Sequence, residues 1–527
     1  MRWFVRALFA VVLVVGGQDR FVQADIKLPA VIDSHMVLQQ DQPVPVWGWA
    51  APGAEVILRF AGKTCETEAD GTGRWRVTLP KLAANWQPQS MSIESSDGSK
   101  IELTDILIGE VWFCTGPSNI FWPVQKCDNA EKEIRRADFP RIRFFTVKKT
   151  MADKPQNDCV GHWFSCNSQT VRDVSGIGYF FSRRIHQELD VPVGLLQSFW
   201  GGSRIEAWTS RDALDARPEV KPILDWWQEE FRRFDPQKAK LWHEKQLAAW
   251  KTSVLKAKSA GSPSPKRPAA KNDPRDSQHR PACLYNGMVA PLIPFSIRGV
   301  ICYQGLGNLL RADSSALLLE TMLRDWRTRW AEGDFPIGMV QPAPYNCDKW
   351  AKSGSDAYSV QREAQLIVQK NMTNIGLAPT MDVDAVDVLH FTNKQLVGRR
   401  LSGWALAAVY GFEIPYAGPV YKSMTVRGES IRVRFQHTGA GLTTNDGRPP
   451  RHFEIAGADR KYYPAEARID GHTVIVRSER VAKPIAVRFA FSDTAVVNLM
   501  NPDGLPASLF GSDALAPIQT STERDLD

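Results

Sequence analysis

Between residues 106 and 411 the chain alternates two hydrophobic periods, and that alternation limits the possible folds more than any other feature. Continuous apolar runs of strand length at 106–113, 193–199, 297–303 and 375–381 are separated by helical patterns that include 176–188, 357–369 and 394–410. A strand apolar on both faces has to be covered on both, and a helix between two strands returns the chain for parallel pairing. The expected core is an α/β parallel sheet with helices on its two faces, whose ligands bind beyond the carboxyl ends of the strands.

Each run is followed by groups that could do chemistry. The first ends in Gly116-Pro117-Ser118-Asn119, a turn that would lift the Ser118 hydroxyl clear of the sheet edge. A hydroxyl is a weak nucleophile at neutral pH, so it needs a base, an orienting acid and donors for an oxyanion. Taken alone, the turn is better explained as a helix N-cap. Past the last run lies Asp384-Ala-Val-Asp387-Val-Leu-His390, which should bring His390 out at the same edge. Asp387, three residues upstream, could reach back to hold the second ring nitrogen, with Asp384 and Asp382 as alternatives. Trp200-Gly201-Gly202-Ser203 can offer backbone N–H groups and Gln304-Gly-Leu-Gly-Asn308 a side-chain amide. Each block by itself reads as a tight turn. Four strand ends delivering Ser, Gly, Asn and Asp-x-x-His in that order read as a serine hydrolase site.

The flanks follow a different grammar. Short alternating strands with turns such as Asp70-Gly71 fill 25–108, and alternation returns over 418–513 around Ile431, Val433, Val474 and Val476. Both stretches are expected to form β-sandwiches around a central domain at 109–411. Within that domain a helical, Trp-rich insertion and a Pro/Lys/Ser-rich flexible linker occupy 219–282, and residues 514–527 form a polar tail. The aromatic stripe of the insertion fits two helices packing their apolar faces better than a sugar groove.

With 527 residues the chain exceeds a single core. The net charge of +7 gathers in the first residues and at 251–280, so it argues for a solvated linker and against a nucleic-acid surface. Residues 1–24, with Arg2 and Arg6 before a short apolar run and Val22-Gln23-Ala24 at the end, have the form of a secretory signal cleaved near Ala24. No later run is long enough to span a bilayer, and the mature protein is expected to be secreted or periplasmic. Eight cysteines fit no zinc spacing, and their pairing cannot be deduced; Cys114 and Cys302, in apolar runs, read as buried free thiols.

The wording of the blocks resembles the secreted sialate O-acetylesterase family of the SGNH-hydrolase superfamily. The phrases that carry the resemblance are Gly109-Glu-Val-Trp112, Gly116-Pro-Ser-Asn-Ile120, Trp200-Gly-Gly-Ser-Arg-Ile-Glu-Ala-Trp208, Asn286-Gly-Met-Val-Ala-Pro-Leu292, Tyr303-Gln-Gly-Leu-Gly-Asn308 and Leu389-His-Phe-Thr-Asn-Lys-Gln395. The flanks resemble it too, at Lys27-Leu-Pro, Trp47-Gly-Trp49 and Gly504-Leu-Pro-Ala507. The chain departs from the family phrases at Pro117, Phe121, Leu306-Gly307, Val388 and Phe391.

The resemblance implies an SGNH-hydrolase-like (flavodoxin-like) three-layer sandwich and removal of O-acetyl groups from sialic acid or other acetylated sugars, without a metal or organic cofactor. It implies Ser118 as nucleophile, His390 as base and then acid, and Asp387 as the third member. Oxyanion donors would come from Gly201 or Gly202 and Asn308, with the N–H of Ser118. Asn119, Trp122, Arg204 and Gln304 are expected to contact the sugar. Two other readings stay open: a catalytically impaired glycan binder, and an esterase for longer acyl groups with an apolar pocket from Phe121, Leu306 and Phe391. Oligomeric state is not readable.

Overall fold

Lys100–Gly116 is a 17-residue strand that does two jobs. Its first half pairs antiparallel with Asn85–Ser95, and its second half lies parallel between Val193–Phe199 and Gly299–Cys302. In this computed structural model, which describes residues 25–348, 350 and 356–513, the N-terminal strands Val37–Gln39, Glu55–Phe60, Lys63–Glu68 and Asn85–Ser95 are therefore continuous with the central sheet, while Val44–Trp49 and Arg74–Leu79 pair separately. The boundary expected at 108/109 falls inside the strand, because no turn residue interrupts the apolar run. Gly109 is needed there: a methyl group at that position would collide with the Pro192 carbonyl. The leader at 1–24 and the tail at 514–527 lie outside the described residues.

The central strands are ordered Ile375–Pro379, Ile337–Gln341, Gly299–Cys302, Lys100–Gly116, Val193–Phe199, Asp138–Thr146 and Trp163–Asn167, and all but the last pair are parallel. Without the two outer strands on the Asp138 side, the order is 2-1-3-4-5, and the chain switches direction at Lys100–Gly116. A crevice for ligands opens at such a switch. Side chains alternate between two cores. Phe113 packs with Trp326 and Trp330 on one face, while Trp112 meets Phe181 and Trp404 on the other. Helices Ser315–Trp330 and Ala357–Asn371 pack against each other, as do Gly176–Leu189 and Lys394–Ala408.

Three of these strands, Asp138–Thr146, Trp163–Asn167 and Ile337–Gln341, were not expected from sequence. Asp138–Thr146 carries Arg141 and Arg143, and the guanidinium of Arg143 is neutralised by Asp105 at 2.7 and 3.1 Å. Ile337–Gln341 is five residues with a glycine inside. Gly338 pairs with Gly376, and both lie under the indole of Trp404, where any Cβ would strike the ring. The glycines that look like turn signals make room for a tryptophan.

The insertion forms helices Lys221–Arg233 and Pro236–Ser259, and the chain after them runs back over the second helix, with the Trp250 indole donating to the Pro265 carbonyl. Towards the C-terminus, Val420–Arg427, Ser430–Gln436, Thr473–Arg477 and Glu466–Asp470 form one antiparallel sheet. A second sheet contains Phe453–Ala456 and Ala486–Phe489 and shares a core with the first through Val433, Val476, Ile455 and Phe489. All eight cysteines are free, and burial pushes the Cys302 thiol up to about 12. Among the described residues no helix is long and apolar enough to cross a membrane.

Candidate active site

Gly116 ends the long strand at φ 137°, packed so closely on the Tyr303 carbonyl that only glycine fits. Pro117 follows in extended conformation and Ser118 opens the short helix Ser118–Phe121. That helix is pinned from outside: the Ser175 hydroxyl donates to the Ile120 carbonyl, and Gly176 N–H donates to the Trp122 carbonyl at 2.8 Å. The nucleophile turn thus leans on the start of the Gly176–Leu189 helix.

The loop after Ile375–Pro379 brings His390 to the same place. Its Nε2 lies 2.6 Å from the Ser118 Oγ. Trp122 stacks on the imidazole with centroids 4.9 Å apart and planes 14° from parallel. Asn119 fastens the loop, donating from Nδ2 to the Leu389 carbonyl at 3.0 Å while its Oδ1 accepts from the Lys394 amine at 2.7 Å. Lys394 has no exposed surface; burial pushes its pKa down to about 7, and its Nζ sits 3.9 Å from the Phe391 ring centroid. His390 is half-buried, and burial, then Lys394, then Lys126 hold its pKa below the ordinary imidazole value. At neutral pH it is uncharged and able to accept a proton.

The acid expected from the spacing does not meet the base. Asp387 is exposed and makes no hydrogen bond to His390, whose Nδ1 has no partner among the described residues. The turn explains this: Val388 N–H bonds the Ala385 carbonyl and Asn119 holds Leu389, so the ring is directed at Ser118 and Trp122. Asp382 is taken up by a two-pronged pair with buried Arg400 at 2.7 and 2.8 Å, and Asp384 is exposed.

The other two strand ends converge on this pair. A Cβ at Gly201 would lie 3.6 Å from the Ser118 Cβ, and neither Gly201 nor Gly202 spends its N–H on a backbone carbonyl. Gly307 packs directly on the Ser203 carbonyl. Asn308, fully enclosed, accepts from Ile205 N–H at 2.9 Å and donates to Glu206 Oε2 at 2.8 Å. Glu206 is also enclosed and pairs with Arg311 at 3.0 Å. Arg311 and Arg204 lie over the Trp226 ring at 5.7 and 5.8 Å. Gln304 Nε2 is buried without a partner. Sequence reasoning missed Glu206 as the anchor of Asn308 and Lys394 as the anchor of Asn119. The signals were a carboxylate inside the Trp200–Trp208 phrase and a lysine opening the helix that follows His390.

No family model matches the chain. It is 25% identical over 475 residues to the sialate O-acetylesterase of Rattus norvegicus, covering 80% of this chain and 81% of the relative. It is 25% identical over 440 residues to that of Homo sapiens, covering 76% and 75%. A crystal structure of a carbohydrate acetylesterase from Xanthomonas citri matches 93% of this chain and 100% of its own, at 31% identity and a TM-score of 0.78. The chain belongs to the sialate O-acetylesterase family.

Against the phrases of the sialate O-acetylesterase family, the departures occupy separate places. Pro117 is the N-cap of the nucleophile helix. Phe121 rests on Phe199 at 5.6 Å with the Lys149 amine above it, Phe391 is buried beneath Lys394, and Val388 is exposed. Leu306 packs on the small cluster of Leu309, Tyr345, Cys347 and Tyr358, apart from the cluster that holds Phe121 and Phe391, so the three do not gather into one apolar pocket.

Proposed function

We propose that the chain is an exported carbohydrate esterase that removes O-acetyl groups from sialic acid or another acetylated sugar through a serine acyl-enzyme. The observation that carries this reading is the 2.6 Å approach of His390 Nε2 to Ser118 Oγ. With it goes a reading of the architecture: an SGNH-hydrolase-like three-layer domain at 109–411 with its insertion at 219–282, between β-sandwiches at 25–108 and 418–513.

In this mechanism the neutral imidazole takes the Ser118 proton at Nε2 as Oγ attacks the acetyl carbonyl. The N–H of Ser118, that of Gly201 or Gly202 and the second N–H of Asn308 meet the oxygen as it becomes negative. Collapse expels the sugar oxygen, which takes the proton from His390. Water then repeats the sequence on the acetyl-enzyme and releases acetate. Trp122 and the Asn119-held Leu389 keep the ring in place, where a triad would use a carboxylate. Glu206 turns the Asn308 amide and Lys394 turns that of Asn119. Gln304, whose Nε2 is buried without a partner, is assigned to the sugar, with Arg204 beside it over the Trp226 ring.

A second reading, a glycan binder that has lost catalysis, is favoured by one observation: Nδ1 of His390 has no carboxylate partner. Hydrolysis of p-nitrophenyl acetate decides between them. Esterase activity lowered about a thousandfold or more by Ser118→Ala, and comparably by His390→Ala, supports the esterase. Equal rates for wild type and Ser118→Ala support the binder.

A further inference from the structure

Away from Ser118, the strands Val44–Trp49 and Arg74–Leu79 form a two-stranded sheet. Val44, Val46, Trp75 and Val77 point into the core, so Pro45, Trp47 and Trp49 share the opposite face with Arg74, Arg76 and Thr78. The register sets Trp49 opposite Arg74 and Trp47 opposite Arg76, neighbours across the ladder. This face walls a groove of two adjoining cavities. One, of about 320 Å³, is lined by Trp47, Trp49, Arg74 and Arg76 with Gln156 and Asn157 opposite. The other, of about 370 Å³, includes Gln42, Thr78 and Lys81, and the two share Arg76 and Pro294. Each is within the size range of ligand sites, and together they run about 13 Å along the strand from Arg74 to Thr78.

The chemistry of the walls is that of a sugar site. Trp49 and Trp47, the latter packed partly on the core, are half-buried indoles that give the cavity apolar wall for a pyranose, and the amides of Gln156 and Asn157 line the same cavity. The guanidiniums of Arg74 and Arg76 make no hydrogen bond or ion pair among the described residues, although most other arginines of the central region are paired. The carboxylates at the rim bond other groups, Asp70 accepting from Thr72 and from Arg74 N–H and Glu332 from Ser296 and Ile297 N–H, while each also feels the charge of the neighbouring Arg74 or Arg76. Only Asp41 has no side-chain partner. The second cavity also has a shielded polar atom without a partner in its lining residues, Gln42 Oε1. Orphans of this kind need an explanation.

The groove is tied to the catalytic side by one short segment. Lys149 lies 5.4 Å from the Phe121 ring and 5.9 Å from the Trp200 ring, beside the nucleophile turn, and Gln156 and Asn157 are seven and eight residues further on. At most about 28 Å of extended backbone separates Lys149 from Asn157.

We propose that this groove is a second carbohydrate site that binds the backbone of an acidic polysaccharide, with uronic-acid carboxylates on Arg74 and Arg76 and sugar faces on Trp47 and Trp49. Guanidinium forks suit a carboxylate bidentately, and two of them in line suit a polymer with repeated charge. The link between groove and catalysis rests on the esterase reading above, while binding itself does not.

The test uses the full mature chain carrying Ser118→Ala, so that nothing turns over, and measures binding of galacturonic-acid hexamers and xylose hexamers by calorimetry. The acidic hexamer is expected to bind. Arg74→Ala/Arg76→Ala should weaken it at least tenfold at an unchanged melting temperature, and Trp47→Phe should weaken it less. The xylose hexamer should bind at least tenfold more weakly than the acidic one. No binding of the acidic hexamer, equal affinity for the two hexamers, or an arginine variant that binds as well as its parent would overturn the proposal. Failure of the Ser118-dependent esterase assay would instead remove the catalytic reading and leave this result standing.

Discussion

The indole of Trp122 lies flat on the imidazole of His390, 4.9 Å between centroids, while its own Nε1 is tied to the Lys126 carbonyl at 2.8 Å. A ring without a carboxylate on Nδ1 is held by surface contact instead. Stacked aromatic pairs are worth about 0.5–1.5 kcal/mol beyond burial, so Trp122→Ala is expected to lower kcat about tenfold with little change in KM for p-nitrophenyl acetate. Trp122→Phe should keep most of the rate. A change confined to KM would assign Trp122 to the substrate.

Asp387→Asn should leave kcat/KM within about threefold of wild type. Loss of the aspartate in a working triad costs about ten-thousandfold, so steady-state kinetics on this one variant separates a dyad from a triad without ambiguity.

The acid limb of kcat/KM should lie below pH 6.5. Burial disfavours the imidazolium, and the charges of Lys394 and Lys126 disfavour it further. Lys126→Gln removes one of these repulsions, which raises the His390 pKa and moves the limb upward, so activity at pH 5.5 should fall while that at pH 8 stays. A limb that does not move would remove Lys126 from the electrostatics of the base.

Lys394 gives stability a pH dependence of known sign. Its folded pKa of about 7 lies below its ordinary value, so between pH 7 and about 10 the unfolded chain holds a proton that the folded one lacks. Stability from this group therefore rises with pH across that window and stays at its lower level below pH 7. Lys394→Met should flatten the slope in urea titrations. Asn119→Ala, which leaves the buried amine without its acceptor, should cost about 1–3 kcal/mol and lower kcat by freeing Leu389.

Gly307→Ser, which restores the family residue, should destabilise this chain. A Cβ at 307 would collide with the Ser203 carbonyl, and relief requires moving one of the two loops that hold Asn308 and Gly202. A lower melting temperature with a lower kcat is expected. Wild-type values would mean that the loops adjust freely.

The parallel core and its helices were legible because buried strands and amphipathic helices differ in period, and Val193–Phe199 agrees with its expected bounds at both ends. Ile337–Gln341 was not, since Gly338 looks like punctuation until Trp404 is seen above it. The approach of Ser118 to His390 followed from both lying past carboxyl ends of parallel strands. The failure of Asp387 to meet the ring did not, because sequence spacing fixes reach and not direction; the direction is set by Asn119, 270 residues away from Leu389. Asn119 itself read as a sugar contact, but its side chain is spent inside the protein.

Lys100–Gly116 begins among antiparallel partners, passes through a bulge at Asp105 (φ 55°) without leaving the sheet, and finishes at the glycine before the nucleophile turn. The leading β region is consequently not a detachable accessory. A protease cut or a gene truncation at its apparent end would sever the rod on which the serine is mounted, and heat or denaturant should melt the first hundred residues and the catalytic core in a single transition.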